Sequence, residues 1–307
     1  MQEEELLSRM RQLFAAAGPS VLIGSGPDDC AHLEADGRRL AVSCDAFAEG
    51  SHFLPDAPPE AVAEKSLAAS VSDLAASACR PRWALVSLAI RQGADPDWAN
   101  RFAQGLARSA GELGVPIVGG DTVSSRHGMF VSVTVIGEPL PGGPVLRSGA
   151  KPGDALVVTG EFGGSLSGRH LHPRPRLREI GELMGFCAGS GLGRLPGAAI
   201  DVSDGLALDL SRLCRESGVG VELEAAAIPV AAEAGPAAES SCRSRLDCAL
   251  ADGEDFELLL ALPLELWAAF KRRLEETAET RRQAGLAGFA RIGTFRERDA
   301  GRCLRWP

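Results

Sequence analysis

Apolar residues recur along the chain at two spacings. Alternation at every second position over RLAVSCDAF (39–47), WALVSLAI (83–90) and FVSVTVIG (130–137) predicts half-buried strands. ALVVTG (155–160), the segments 219–224, 255–262 and 286–295, and a short apolar lead-in at 199–201 predict further strands. Repeats at three and four predict helices over 3–17, 60–79, 96–113, 174–186, 205–217 and 263–277. VPIVGGD (115–121) reads as a strand end followed by two glycines. GEPLPGGPVLRSGAKPGD (137–154) is rich in Gly and Pro and is the best candidate for a domain junction. The order does not fit a simple chain of βαβ units. The expected class is therefore α+β, built as two α/β lobes over residues 1–140 and 150–307.

Several apolar segments end in acids: PDD (Asp28, Asp29), SCD (Asp45), SVSD (Asp73), VGGD (Asp121) and DVSD (Asp201, Asp204). Taken singly, each reads first as an ordinary turn or helix cap. Helix 60–79 shifts that balance. Leu67, Val71, Leu74 and Ala78 make a core stripe, and Ser66, Ser70, Asp73 and Ser77 make a second stripe beside it. An exposed face would carry Lys, Glu or Arg, so serines around one aspartate point to a small polar ligand, or else to tight packing against another element. In VGGD the glycines either admit a ligand close to the backbone or simply close a tight turn.

Composition narrows the chemistry. The 307 residues are 45% hydrophobic and 24% charged, with a net charge of −9, which argues against nucleic acid as a partner. No stretch approaches a membrane span, and MQEEELLSRM has no targeting signature, so a cytoplasmic protein is expected. The eight cysteines include no C-x-x-C pair, and His170 and His172 read as a loop rather than a zinc site. Carboxylates with serine oxygens suit hard cations such as Mg²⁺, and several such ions would recruit a polyphosphate. The three lysines (65, 151, 271) rule out a Walker A loop, and kinase and Rossmann signatures are missing. GEFGGSLSG (160–168) has no lysine and is a weak phosphate-loop candidate.

AVSCDAFAEGSHF, KSLAASVSDLAAS, VGGDTVSS, LRSGAKPGD, AIDVSDGLALDL and ADGEDFELLL occur in the order seen in thiamine-monophosphate kinases. The chain resembles that family, of the aminoimidazole-ribotide-synthetase-like superfamily, from about residue 20 to 262. EGSHF with GEDFEL points to the thiamine branch. The resemblance implies an N-terminal lobe that dimerises through its strands, a matching C-terminal lobe, and phosphoryl transfer from ATP to thiamine monophosphate. By motif position, Asp29, Ser43, Cys44, Asp45, Asp73, Asp121, Asp201 and Asp204 resemble the Mg²⁺ ligands. Gly120, Asp121, Arg147 and Ser203 resemble ATP contacts, and His52, Glu254 and Trp306 resemble substrate contacts. Three positions depart from the family pattern: Cys44 for threonine, PDD for GDD, and Ser70 for asparagine. The rival readings are another ATP-using enzyme of the superfamily, of purine or hydrogenase-maturation type, and a nucleotide binder without turnover.

Overall fold

The computed structural model describes residues 20–24, 28–298 and 304–305. The expected helix at 3–17 and Trp306 lie outside the described residues. Among those described, the strands form two six-stranded sheets. The first runs β1 (Val21–Ile23), β2 (Ala31–Ala35), β3 (Arg38–Ala48), β6 (Phe130–Pro139), β4 (Cys79–Arg91), β5 (Ile117–Ser125) in space. Its pairs are antiparallel except β4–β5, which are parallel and joined by α2 (Trp98–Leu113). β5 does not stop before its glycines, as the sequence led us to expect, but continues through them to Ser125.

α1 (Pro59–Ala76) packs against β3, β4 and β6. Pro59 sits in the first turn, where its missing N–H is no loss, and no glycine interrupts the Ala-rich run. The helix ends earlier than its periodicity predicts: Ser77 is the C-cap and Ala78 turns left-handed at φ +50°. Small and apolar residues all round let it be buried on nearly every side. Its last turn shares a core with the second sheet through Ala75, Ala76 and Ala78. That placement brings the two sheets' polar residues together.

The second sheet has the order β12 (Leu304–Arg305), β9 (Gly220–Leu223), β11 (Phe289–Arg296), β7 (Ala155–Thr159), β10 (Leu258–Leu262), β8 (Ala198–Asp201). β7 and β10 are buried throughout, and their alternation serves two cores. Leu156, Val158 and Leu259 face α4 (Leu206–Ser217). Val157, Leu258 and Leu260 face α3 (Leu177–Gly189) and α7 (Leu264–Glu276). Each buried leucine contributes about 1.5–3 kcal/mol. Three short helices, α5 (Ala234–Ser241), α6 (Arg245–Ala251) and α8 (Ala278–Gln283), complete the described α-helices. No described helix is long and apolar enough to cross a membrane.

Candidate active site

Strand alternation explains how acids reach the interior. On β3, Ala41, Ser43, Asp45 and Phe47 point to one face, the face α1 covers. The pattern that buries two apolar residues therefore also delivers a hydroxyl and a carboxylate under the helix. α1 answers with Asp73, whose carboxylate accepts a bond from the Ser43 hydroxyl. From the second sheet, β8 ends at Asp201, and the Ser72 hydroxyl of α1 donates to it at 2.7 Å. Asp29, in the turn before β2, comes last.

Carboxylate oxygens of Asp29, Asp73 and Asp201 all lie within 4.8 Å of one another. Burial pushes all three pKa values up, and repulsion from neighbouring carboxylates adds to it at Asp73 and Asp201, which end well above their ordinary value. Burial also raises Asp45, with the neighbouring Ser70 side chain working the other way. One guanidinium opposes them: Arg147 Nη2 donates to Asp29 Oδ1 at 2.5 Å. Burial works against the Arg147 charge, yet Asp29 holds its pKa above the ordinary arginine value. Asp28 fixes this arginine from behind by accepting its backbone N–H at 3.3 Å, and burial pushes Asp28 up to about 7. Among the described residues, Asp29 Oδ2 is buried with no hydrogen-bond partner. An orphaned oxygen in an all-oxygen knot of three acids fits a hard cation such as Mg²⁺.

The acids open onto a cavity of about 400 Å³, lined by Asp45, Asp73, Asp201, Ser203, Asp204, His52 and Glu254, with Phe47, Phe256 and Leu166 as apolar wall. Asp204 is exposed and paired with Arg212 at 2.5 Å, so it borders the cavity outside the three-acid knot. The DVSDG turn is not a side-chain cap: Gly205 is the N-cap of α4 and no side chain bonds there. Buried Asp209 shapes it instead, accepting the amides of Ser203 (3.1 Å) and Asp204 (2.9 Å), and its pKa is pushed up to about 6 by burial.

His52 follows β3, and its Nδ1 accepts the Ala48 N–H at 3.1 Å, which leaves the proton on Nε2. Glu254 belongs to a loop with two left-handed non-glycine residues, itself at φ +53° and Phe256 at +52°. Such conformations cost about 1–3 kcal/mol each. The Glu254 amide donates to Ser203 O at 2.7 Å and the Phe256 amide to Val202 O at 2.8 Å, lacing the loop to the end of β8. Buried Lys65 of α1 donates to the His52 carbonyl at 2.5 Å and to the Glu254 carboxylate. Burial lowers its pKa and the Glu254 bond opposes that.

The Gly-rich stretch 160–168 supports this same loop rather than a phosphate. Its amides are already taken: Gly163 donates to Asp255 at 3.1 Å and Gly164 to Asp252 at 2.8 Å. Gly164 has φ +71°, and a Cβ there would lie 2.3 Å from the Glu233 carbonyl carbon. Arg169 closes the clamp on Asp255 at 2.8 Å.

Three further predicted residues, Asp121, Cys44 and Gly120, line neither the knot nor its cavity within this chain. Asp121 pairs across the sheet with Ser87, and Ser87 with Ser132, on the face turned away from α1. Three strand spacings, roughly 14 Å, separate β5 from β3. Cys44 points to that outer face as well, where Thr134 Oγ1 bonds its sulfur at 3.3 Å. Gly120 is a glycine because β4 is too close: a Cβ would fall 1.8 Å from Val86 O. The serine stripe of α1 is packed inside the protein, with Ser66 and Ser70 bonding back to helix carbonyls. Lys65, Ser72 and Asp209 were missed; each reads as an ordinary helix residue until its distant partner is known.

The model of the AIR synthase related protein N-terminal domain matches residues 27–138. A protein of Rhodopirellula baltica named thiamine-monophosphate kinase is 36% identical over 85% of this chain and 80% of its own. The chain belongs to the thiamine-monophosphate kinase family. The Escherichia coli K12 member is 32% identical over 85% of this chain and 82% of its own length. The solved AaThiL complexed with AMPPCP and TMP superposes with a TM-score of 0.80 at 26% identity, covering 100% of this chain and 95% of that one. Hydrogenase maturation protein HypE in complex with ATP shares the fold, at 22% identity and a TM-score of 0.69 over 97% of this chain and 90% of its own.

Proposed function

We propose that this chain transfers the γ-phosphoryl group of ATP directly to thiamine monophosphate, forming thiamine diphosphate, as a cytoplasmic homodimer of two-lobed subunits (1–140 and 150–307). The observation that carries the reading is the meeting of Asp29, Asp73 and Asp201 from a turn, a helix and a strand end, beside a cavity that also holds His52 and Glu254. A family of that name supplies the substrates.

The accepting phosphate is largely dianionic near neutral pH, its second pKa being about 6, so no side chain is needed as a general base. The obstacle is repulsion between two polyanions. Asp29, Asp73 and Asp201, with Asp45 beside them, would hold Mg²⁺, which when bound supplies the positive charge that offsets this repulsion. Arg147 adds a fixed charge, and Asp28 and Asp29 hold it in place. Ser203 stands on the cavity wall, pinned by Asp209. His52 and Glu254 offer a donor and an acceptor to the substrate's rings, with Phe47, Phe256 and Leu166 excluding water beside them.

The dimer reading rests on the outer face of the first sheet. Leu85, Val123 and Phe130 are exposed there, with small Ala46 and Ser87 between them. Two such faces would bury one another, and Asp121 would then stand at the seam.

Incubating purified protein with ATP, Mg²⁺ and thiamine monophosphate, then separating the products, tests the activity. Thiamine diphosphate with matching ADP is expected. ATP binding without product would leave the nucleotide-binder reading in its place.

A further inference from the structure

Resting on the reading above, we infer that Lys65 is a positioning residue, tying the His52 turn to the Glu254 loop and so setting the substrate end of the cavity. Both partners line the cavity, whereas Lys65 stands behind them, 1% exposed. Among the described residues its ammonium is the one group that bonds both: the His52 carbonyl at 2.5 Å and the Glu254 carboxylate.

Burying an ammonium is costly, and a methionine of similar shape would fill the space without that cost. Packing alone therefore does not account for a lysine here. Glu254 sits on a backbone that prefers to relax away from φ +53°, so its side chain needs a second anchor besides the loop's own amide bonds. Lys65 supplies it through Oε2 and leaves the other carboxylate oxygen to accept from a ligand. The same ammonium holds the carbonyl of His52, whose Nε2–H is a donor. One side chain thus fixes the relative placement of an acceptor and a donor that come from opposite halves of the chain.

Steady-state kinetics on the full chain, with Lys65→Met, Glu254→Gln and the double variant, test this. The parent must convert thiamine monophosphate; if it does not, the functional reading fails and the inference falls with it. With an active parent, Lys65→Met is expected to raise KM for thiamine monophosphate about tenfold while kcat and KM for ATP stay within about twofold. In the Glu254→Gln background the same change should add about twofold at most, the residue of the His52 tie. An unchanged KM, an equal loss for ATP, or a full tenfold loss in both backgrounds would overturn the inference and leave the activity standing. If Lys65→Met alone does not fold, the double variant leaves no carboxylate stripped of its ammonium partner. Its comparison with Glu254→Gln then decides by the same outcomes.

Discussion

Neutralising Asp73 should stabilise the metal-free protein. Burial raises its pKa first, and the charges of Asp45, Asp201 and Asp29 raise it further, so the folded state holds this carboxylate reluctantly. Asp73→Asn keeps the shape and the bond from Ser43 while removing one of the crowded charges. The metal-free melting temperature is expected to rise by about 2–6 °C. The gain from Mg²⁺ with an ATP analogue should shrink, and activity should fall by about 100-fold or more. Scanning fluorimetry with and without Mg²⁺, beside the product assay, checks all three; a lower metal-free melting point would contradict the repulsion argument. Thiols offer a second residue-level test. Burial pushes Cys79 up to about 12 and Cys187 up to about 11, whereas Cys242 is exposed. Iodoacetamide at pH 8 should label Cys242 in the native protein and reach Cys79 and Cys187 only after denaturation, as peptide mass spectrometry would show.

At the scale of elements, the Gly-rich stretch and the Glu254 loop act as one clamp, and Asp255 is its most telling part. Burial pushes its carboxyl up to about 7 although Arg169 pulls it down. A pKa above the unfolded value means that the native state binds the extra proton between about pH 4 and 7, so stability falls as pH rises through that window. Asp255→Asn should reduce the loss of stability between pH 5 and pH 7.5 by up to about 2.5 kcal/mol, read from urea unfolding at the two pH values in parent and variant. An identical slope in both would mean that Asp255 is already ionised across the range. Such clamps explain what the sequence could and could not disclose. Long strands and helices were legible because one face of each is apolar, a local pattern. α5 was not, since AGPAAESS carries a glycine and a proline, and β1 has only three residues. α6 is as short, yet its Ser244–Asp247 capping box was a readable signal that went unused. The acids themselves were legible, because carboxylates at the ends of apolar runs stand out. Their grouping was not: Asp45 and Asp121 both lie in strands, and only pairing register turns them to opposite faces.

That opposition has a consequence for the whole molecule. If two copies pair through the outer face of the first sheet, Asp121 of one subunit is presented to the other, and each site draws on both chains. Placing charge on the face, as in Val123→Glu with Leu85→Glu, should halve the molar mass measured by light scattering and lower activity together. Subunit mixing makes the sharper test. Asp121→Ala and Asp201→Asn homodimers should each be nearly inactive. In a mixed dimer, the site with Asp201 from the first variant and Asp121 from the second is intact, and the other site carries both lesions. Equal mixing after mild dissociation makes about half the dimers mixed, so roughly a quarter of the parent activity should return. Were Asp121 to serve the acids of its own chain, every site in the mixture would carry one lesion and no activity would return. Restored turnover would place the aspartate across the seam, where its own chain's fold already points it.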